Sequence, residues 1–445
     1  MSFPKYPVYK DSGVQWLGEV PEHWALKRLG HFFDERRERA SDTEFEPLSV
    51  TKHGIVPRLE SAAKTQDGDN RKKVLAGDFV INSRSDRKGS SGLSPLDGSV
   101  SLICTVLIPT GLHGPYIHHL FRSELFQEEY YRWGKGIVAD LWSTNFSDMK
   151  NIVLGVPSEA EQTQIARFLD HETARIDALI EEQQRLIELL KEKRQAVISH
   201  AVTKGLDPTV SMKDSGVEWL GEVPAHWVVS KLKFMTDRVV DCPHETPNYD
   251  PDGNYLVIRT ADIDQGTLKP EQMYRLDRNE YVHRTRRASL EKSDIVYGRE
   301  GERWGHAALI PESDLYALGQ RMMQFRVSAH VCPEYFMFQL NSIAVYRQGE
   351  VDTVGATSPH VNISTIINYQ MMIPPKEEQT RISNYLNKTL RDLDSLINES
   401  TDAMGLLQER RSALISAAVT GKIDVRDWQP PVSTQAPKFE VAEAV

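Results

Sequence analysis

Basic and hydroxyl side chains beside glycines occur twice in the chain, each time where short β-rich segments end. The candidate residues are Thr51, Lys52, Arg84, Arg87 and Lys88 in the first stretch, and Arg259, Thr260, Arg299 and Arg303 in the second. Arginine can hydrogen-bond guanine through two donors, and lysine and threonine can contact phosphates. For any single residue, solubilising surface charge is the simpler interpretation. Considered as two matching sites, they make nucleic-acid recognition as good a hypothesis as surface charge.

No catalytic or metal motif accompanies these clusters in the sequence. The chain has no G-x-x-x-x-G-K-[ST] phosphate loop and no G-x-G-x-x-G after a strand. It also lacks the Asx-Pro-Pro-aromatic tetrad that holds a flipped base in amino-methyltransferases. His113, His118 and His119 lie close in sequence, but no second ligand cluster completes a metal site, so we expect ordinary surface or partly buried histidines. The sequence predicts no catalytic residues and no metal.

Length and composition are those of a globular protein with two or more domains, since 445 residues exceed one ordinary core. No apolar run reaches membrane-spanning length, and the first residues lack the apolar core of a signal peptide. Cys104, Cys242 and Cys332 are scattered, which favours a reducing cytoplasm. The net charge of −10 argues mildly against nucleic acid as a lone partner, although other subunits can carry compensating charge.

An aromatic peptide appears twice and indicates a duplicated unit. Residues 10–24 read KDSGVQWLGEVPEHW, and residues 213–227 read KDSGVEWLGEVPAHW. Because such dense large aromatics usually become buried, we predict that each peptide is a strap fastening its domain to a helix. His23 and His226 recur with the strap, so a structural role is expected for both.

The longest regular feature is the run from Ser158 to Lys204, which contains no Pro and no Gly. Ser158 followed by Glu161 is a capping box, and Gly205 ends the helix. Residues 374–421 repeat this run 217 positions later. Gly405, which matches Glu188, should weaken the second helix by about 1 kcal/mol relative to Ala.

Both helices carry apolar side chains at heptad spacing, which predicts that they pack together as a coiled coil. The seam residues are Ile176, Ile180, Ile187 and Leu190 in the first helix, and Leu393, Ile397, Met404 and Leu407 in the second. We expect Leu179, Leu186 and Leu189 to widen this seam. The polar seam positions Gln183, Arg194, Ser400 and Arg411 are candidates for fixing the register of the pair.

Each copy also carries a β-rich stretch between its strap and its helix. Strands are predicted within 47–57, 74–83 and 101–111, and again within 254–266, 292–301 and 320–329. The predicted fold class is therefore α+β, with two tandem mixed α/β domains separated by two long antiparallel helices in a pseudo-two-fold arrangement. The predicted boundaries are 1–156 and 207–373 for the domains, 157–206 and 374–424 for the helices, and 425–445 for a disordered tail.

Together, the paired straps and the paired P-x-x-x-E-Q-x-x-I-x-x-[FY]-L runs leading into I-D-x-L-I helices resemble the DNA specificity subunit of type I restriction–modification systems. The resemblance covers residues 9–425. It implies that each variable domain is a target recognition domain reading one half of a bipartite double-stranded DNA sequence. It also implies that the helices form an antiparallel coiled coil that spaces the two domains.

The resemblance further implies a non-catalytic subunit with no cofactor of its own. Two methyltransferase subunits would use S-adenosylmethionine, and restriction subunits would use ATP and Mg²⁺ to translocate and cleave DNA. Two alternatives stay open at this point. One is a coiled-coil scaffold that binds protein and no DNA, and the other is an autonomous nuclease or methyltransferase.

Overall fold

The computed structural model describes residues 3–52, 54–60, 68–84, 87–136, 142–301, 303–351 and 360–431. The chain divides into two compact units, each with strands and helices. Unit 1 comprises Met1–Gln183 and Asp402–Val445, and unit 2 comprises Gln184–Thr401. Each of the two long helices therefore contributes one segment to each unit.

The elements of unit 1 follow the strap-then-strands order predicted from the sequence. Its strands are β1 (Tyr9–Asp11), β2 (Glu19–Pro21), β3 (Ala25–Arg28), β4 (Phe33–Glu35), β5 (Arg39–Ala40), β6 (Leu48–Thr51), β7 (Gly54–Pro57), β8 (Arg71–Val74), β9 (Phe79–Asn82), β10 (Ser91–Leu93), β11 (Gly98–Val100), β12 (Cys104–Pro109) and β13 (Val153–Val156). Its helices are α1 (Gly114–Arg122), α2 (Glu124–Arg132), α3 (Phe146–Met149) and the first part of α4 (Glu159–Lys204), with a 3-10 turn at Leu29–His31.

Unit 2 repeats this order with a longer middle. Its strands are β14 (Met212–Asp214), β15 (Glu222–Pro224), β16 (Val228–Lys231), β17 (Thr236–Asp241), β18 (Tyr255–Ile258), β19 (Ile263–Asp264), β20 (Thr267–Leu268), β21 (Tyr274–Leu276), β22 (Ile295–Gly298), β23 (Ala307–Leu309), β24 (Tyr316–Leu318), β25 (Met322–Val327) and β26 (Gln370–Ile373). Its helices are α5 (Arg278–Thr285), α6 (Pro333–Leu340), α7 (Ile343–Glu350), α8 (Ile363–Ile366) and the first part of α9 (Lys376–Val419), with 3-10 turns at Leu232–Phe234, Thr260–Asp262 and Pro270–Gln272.

The central sheet has the same plan in both units. Unit 1 has the strand order β10-β9-β12-β4, and unit 2 has β23-β22-β25-β17, all antiparallel. The middle strands β9 and β22 are buried along their whole length. A short hairpin accompanies each sheet, β6–β7 in unit 1 and β19–β20 in unit 2. The unit 1 candidates lie at the ends of β6 and β9, Arg299 and Arg303 follow β22, and Arg259 and Thr260 follow β18 of a separate sheet, β21-β18-β24.

Within each unit, one segment of α4 packs beside one segment of α9. In unit 1, Ile176 of α4 and the last turns of α9 share one buried cluster. In unit 2, Leu190 and Ile198 of α4 share a cluster with Leu386 and Leu393 of α9. The remaining seam residues Ile180, Ile397, Met404 and Leu407 are partly buried, and Ile187 is buried.

The predicted widening of the seam is wrong. Leu179, Leu186 and Leu189 are 37%, 42% and 51% exposed. A single partner helix covers only a narrow stripe of apolar positions, and these three leucines lie outside it. Gly405 does not interrupt α9, which is continuous through that position.

Each strap fastens the end of one long helix to the start of the other. In unit 1, Trp24 is fully buried, and its indole donates to Glu161 in the first turn of α4 at 3.0 Å. Lys422, just beyond α9, donates to the carbonyl of Glu19 in the same strap. In unit 2, Trp227 is likewise buried, and His226 lies 2.7 Å from Glu378 of α9. The predicted strap role is confirmed by these contacts.

The capping prediction holds in part. The Ser158 hydroxyl accepts a hydrogen bond from the Glu161 amide at 3.3 Å, as the capping box requires. The Glu161 carboxylate, however, binds strap residues rather than capping the helix in return. Gly205, at φ +79°, directly follows α4, which ends at Lys204.

The start of the tail differs from the predicted disorder at 425–445. Val425 is fully buried, and the Trp428 ring packs edge-on against Phe168 of α4, with centroids 5.2 Å apart. Aliphatic and aromatic burial outweighs the polar, proline-bearing composition of this segment. Residues 432–445 lie outside the described residues.

Candidate nucleic-acid interface

In unit 2, the four candidate residues come from two neighbouring strand ends. Arg259 and Thr260 follow β18, and Arg299 and Arg303 follow β22. A Cβ added to Gly298 would lie 3.1 Å from the Thr260 methyl carbon and 3.3 Å from the Arg303 carbonyl oxygen, so glycine permits this close approach. Arg303 is exposed and donates to the Ala261 carbonyl at 3.2 Å. The predicted clustering of the two strand ends is thus present in the structure.

Arg259 is held in one orientation by its neighbours. Its Nε and Nη2 atoms donate to the two carboxylate oxygens of Asp262 at 2.9 and 2.7 Å, and Nη2 also donates to the Gln272 carbonyl at 3.0 Å. The guanidinium lies 3.9 Å from the centre of the Tyr274 ring. The hydrogen bonds to Asp262 raise the pKa of Arg259 above its already high value. A cation that is oriented before binding loses less side-chain entropy when it meets a ligand.

The same surface exposes two tyrosines that sequence reasoning missed. Tyr274 is 49% exposed and Tyr249 is 44% exposed, with ring centroids 4.6 Å apart. Exposed aromatic rings beside an arginine can stack on bases or sugars. No spacing pattern marks this pair, because the two rings are 25 positions apart and meet only through the fold.

Arg299 sits deeper than the other three candidates. It is 7% exposed, and its guanidinium lies 3.3 Å from Asp241 and 2.9 Å from Glu300. Its amide donates to the carbonyl of Arg321, a half-exposed residue in the left-handed conformation at φ +69°. Arg321 is a further basic residue of this surface that was not predicted.

In unit 1, three of the five candidates line two separate clefts. Lys52, at the tip of the β6–β7 hairpin, and Lys88 line a cleft of about 630 Å³, which also contains Arg122. Arg84 lines a second cleft of about 440 Å³ together with Lys72. The Thr51 hydroxyl donates to the Gly54 carbonyl at 2.9 Å and so closes the hairpin.

Backbone contacts hold Arg84 and Arg87, which follow β9. The Arg87 amide donates to the Arg84 carbonyl at 3.1 Å, and Arg84 forms a backbone bridge with Ser143. Lys88 contacts the Glu128 carboxylate of α2. As base or phosphate contacts, all nine candidate residues stay predictions. Among the described residues, no group of three or more metal-ligating side chains occurs, and no described helix is long and apolar enough to cross a membrane.

The comparisons with known proteins agree with one another. A family model described as the type I restriction modification DNA specificity domain matches residues 241–403. The type I restriction enzyme EcoKI specificity subunit of Escherichia coli (strain K12) is 23% identical over 376 residues, which cover 80% of this chain and 77% of that protein. The MjaVIII specificity subunit of Methanocaldococcus jannaschii is 24% identical over 428 residues, covering 92% of this chain and 95% of that one.

Solved structures share the fold. A chain from a study of complex assembly and conformational transition of the type I R-M system aligns with a TM-score of 0.68 at 16% identity, covering 90% of this chain and 98% of its own. The HsdS subunit from Thermoanaerobacter tengcongensis aligns over the same shares with a TM-score of 0.51 at 16% identity.

Proposed function

Because this chain belongs to the family of type I restriction–modification DNA specificity subunits, we propose that its two units each read one half of a bipartite DNA target. The subunit is not catalytic itself and directs sequence-specific DNA recognition. The observation that carries the proposal is the repeated central sheet, whose equivalent strand ends bear different residues in the two units. One scaffold with two different loop sets suits recognition of two different half-sites.

In unit 2, the proposed reading surface is Arg259, Thr260, Arg303 and the Tyr249–Tyr274 pair. Arg259 is oriented by Asp262, and Tyr274 offers a ring face beside it. Arg303 is exposed, so it can reach a base edge in the major groove. Arg299 is buried between two carboxylates, which supports a role in shaping the loop in addition to the predicted contact.

In unit 1, we propose that Arg84 and Arg87 read bases, while Thr51, Lys52 and Lys88 contact phosphates. The loop holding both arginines is closed by its own backbone hydrogen bond. A loop with internal hydrogen bonds can present arginines in a defined geometry, which direct readout needs.

We propose that α4 and α9 form an antiparallel coiled coil with pseudo-two-fold symmetry. The support is a repeated ion pair. In unit 1, Arg411 Nε lies 2.7 Å from Asp177, and in unit 2, Arg194 Nε lies 3.1 Å from Asp394. Asp394 and Arg411 are the residues 217 positions after Asp177 and Arg194, so each pair is the duplicate of the other with the helices exchanged.

The same ion pairs agree with the prediction that Arg194 and Arg411 fix the helix register. A polar pair at a seam disfavours shifted registers, because a shift would leave both charges without a partner. On this proposal, the helix length sets the number of base pairs between the half-sites.

The coiled-coil proposal is tested by inserting one heptad into both helices, after Glu188 and after Gly405. We expect sequencing of methylated adenines in a host carrying the altered subunit to show a longer spacer between unchanged half-sites. A matched control inserts seven residues into the exposed 206–209 segment, outside both helices, and should leave the spacer unchanged. Altered half-sites with an unaltered spacer would contradict the proposal.

DNA and other subunits of the restriction–modification system are the partners of a specificity subunit. More specifically, we propose two methyltransferase subunits that use S-adenosylmethionine, and restriction subunits that use ATP and Mg²⁺, with no cofactor in this chain. The cytoplasm is the proposed location, because the DNA and these partners act there.

A further inference from the structure

Arg122 in the last turn of α1 is a half-buried cation without an acid partner. Among the described residues, no carboxylate lies within ion-pair distance of its guanidinium. Its Nη1 atom is 2.8 Å from His118 Nε2, and its Nη2 atom contacts the Lys52 carbonyl. Both partners are neutral acceptors, so the positive charge is not compensated by either. The guanidinium faces the unit 1 cleft of about 630 Å³ described above.

The carboxylates that line this cleft already have partners. These are Asp177 with Arg411 at 2.7 Å, Asp170 with His119 at 2.7 Å, and Glu124 with the Ser412 hydroxyl at 3.0 Å. Among the described residues, the Lys52 ammonium likewise has no hydrogen-bond or ion-pair partner. The cleft therefore holds three carboxylates that each have a hydrogen-bond partner, and two cations, Arg122 and Lys52, that have no ion-pair partner among the described residues.

The histidine beside Arg122 carries no charge at neutral pH. Burial, and then the nearby Arg411, lower the pKa of Arg122, while the Asp177 carboxylate opposes them. Burial, and then Arg122, lower the pKa of His118 to about 4. His118 is therefore neutral at pH 7, and its Nε2 accepts the hydrogen bond from Arg122.

Unit 2 shows that the fold does not require this cation. Tyr116 and Ser123 of unit 1 correspond to Tyr335 and Ser342, which places Asn341 at the position of Arg122. The Asn341 side chain holds the backbone of Ala307 through hydrogen bonds of 2.9 and 3.0 Å. His118 corresponds in the same way to Met337. A desolvated cation that a neutral residue replaces in the duplicate indicates an external anion.

We propose that this cleft binds a backbone phosphate of the DNA, with Arg122 and Lys52 as the donors. The inference rests on the proposed function and adds to it an anchoring contact that carries no sequence information. The planar guanidinium can offer two N–H donors to one phosphate, and the lysine adds a point charge. Because unit 2 has Asn341 instead, the anchor belongs to unit 1.

The test uses the assembled complex of this chain with its methyltransferase subunits. Binding to a cognate duplex and to a scrambled duplex is measured between 50 and 200 mM salt for the unaltered chain and for Arg122→Asn, which installs the residue of unit 2. We expect roughly tenfold weaker binding to both duplexes and a salt slope reduced by about 0.9, as for one lost phosphate contact. Half-site preference should not change.

Two further variants sharpen the interpretation. Arg122→Lys keeps the charge and should retain most of the affinity and of the salt slope. Arg410→Gln removes an exposed arginine of α9 next to Arg411, and it should change neither quantity. If Arg122→Asn lowers the unfolding temperature, its binding data cannot be used, and Lys52→Gln tests the phosphate site in its place. Lys52 lies on the exposed hairpin tip, and we expect the same reduction in salt slope.

An unchanged salt slope in Arg122→Asn, or in Lys52→Gln where that variant decides, would overturn the phosphate site. A loss of affinity confined to the cognate duplex would also overturn it, because it would indicate base reading. Both outcomes leave the proposed function intact. That function fails instead if the unaltered complex does not prefer cognate to scrambled DNA.

Discussion

The two straps are identical at 13 of their 15 positions, yet their anchors differ. In unit 1, the Glu161 carboxylate accepts from Tyr6 at 2.6 Å, from Trp24 at 3.0 Å and lies 2.8 Å from His23. In unit 2, Glu378 binds only His226 among the described residues. The Trp227 indole nitrogen is buried there and has no hydrogen-bond partner in the described part of the chain.

This difference separates what the duplicated fold needs from what each copy has added. Both tryptophans are fully buried, so burial of the indole ring is common to both units. The hydrogen-bond network is not, because Tyr6 corresponds to Thr209, which is exposed and bonds locally to Asp207. Apolar burial thus defines the strap, and polar contacts tune its stability.

The largest expected difference between the units follows from their anchoring carboxylates. Glu161→Leu leaves the buried Tyr6 and Trp24 donors without an acceptor, which should cost about 3 kcal/mol, whereas Glu378→Leu should cost about 1 kcal/mol. Hydrogen exchange of strap peptides 9–24 and 212–227 reports each unit separately. Glu161→Gln keeps an acceptor and should lose less. Equal losses in the two units would contradict the comparison.

Acid sensitivity should also differ between the units. The folded-state pKa of His118 is about 4, below its ordinary 6.5, so the unfolded chain binds the proton more readily. Stability is therefore full above about pH 6.5 and is lost as the pH falls towards 4, by about 2 kcal/mol after allowance for solvent. His118→Met installs the residue found at Met337. It should flatten the pH dependence of the free energy of unfolding that hydrogen exchange reports for unit 1. An unchanged pH profile would refute this assignment.

The duplicated ion pairs should contribute unequally to stability. Arg194 is 14% exposed in its side chain, and it also donates to the Gln265 side chain at 2.6 Å, whereas Arg411 is 34% exposed. Arg194→Gln should cost about 1.5 kcal/mol, and Arg411→Gln about 0.5 kcal/mol. Chemical denaturation, monitored by hydrogen exchange in the two helix segments, measures the stability cost of each variant. A larger cost for Arg411→Gln would reverse the expected order.

A stabilising effect concerns the one glycine inside the long helices. An added Cβ at Gly405 meets no atom within 4 Å, so Gly405→Ala should stabilise α9 by about 1 kcal/mol. Calorimetry should show an unfolding temperature higher by about 2 °C. Glu188→Ala at the matching position of α4 is the control, with an expected change of about 0.3 kcal/mol. Destabilisation by Gly405→Ala would indicate that the helix needs flexibility there.

Periodicity and duplication explain why most of the fold was predictable. The predicted strand segments contain β6, β7, β9, β12, β18, β22 and β25 within their bounds. The heptad pattern identified seam residues that are buried or partly buried. It failed for Leu179, Leu186 and Leu189, because periodicity alone does not say how wide a stripe one partner covers. The polar, proline-bearing composition of the tail predicted disorder, which is wrong for Val425 and Trp428, because their burial depends on distant residues.

The candidate interface was predictable only at the level of strand ends. Glycine and arginine after a strand marked Arg259 and Arg303, but nothing in the spacing indicated that Arg299 pairs with Asp241, 58 positions earlier. Arg122 was hidden because it ends an amphipathic helix whose other face is apolar. In the described part of the chain it has no acid partner, which is a property of the folded cleft and cannot be seen in the sequence.

The central claim, that the two units read two separate half-sites, is tested most directly by sequencing methylated adenines in a host carrying the complete system. We predict a bipartite motif, and replacing Arg259 and Arg303 of unit 2 with alanine should relax or abolish one half-site while the other stays unchanged. Arg84→Ala in unit 1 should affect the opposite half-site. A single continuous motif, or equal changes in both half-sites from either variant, would contradict the claim.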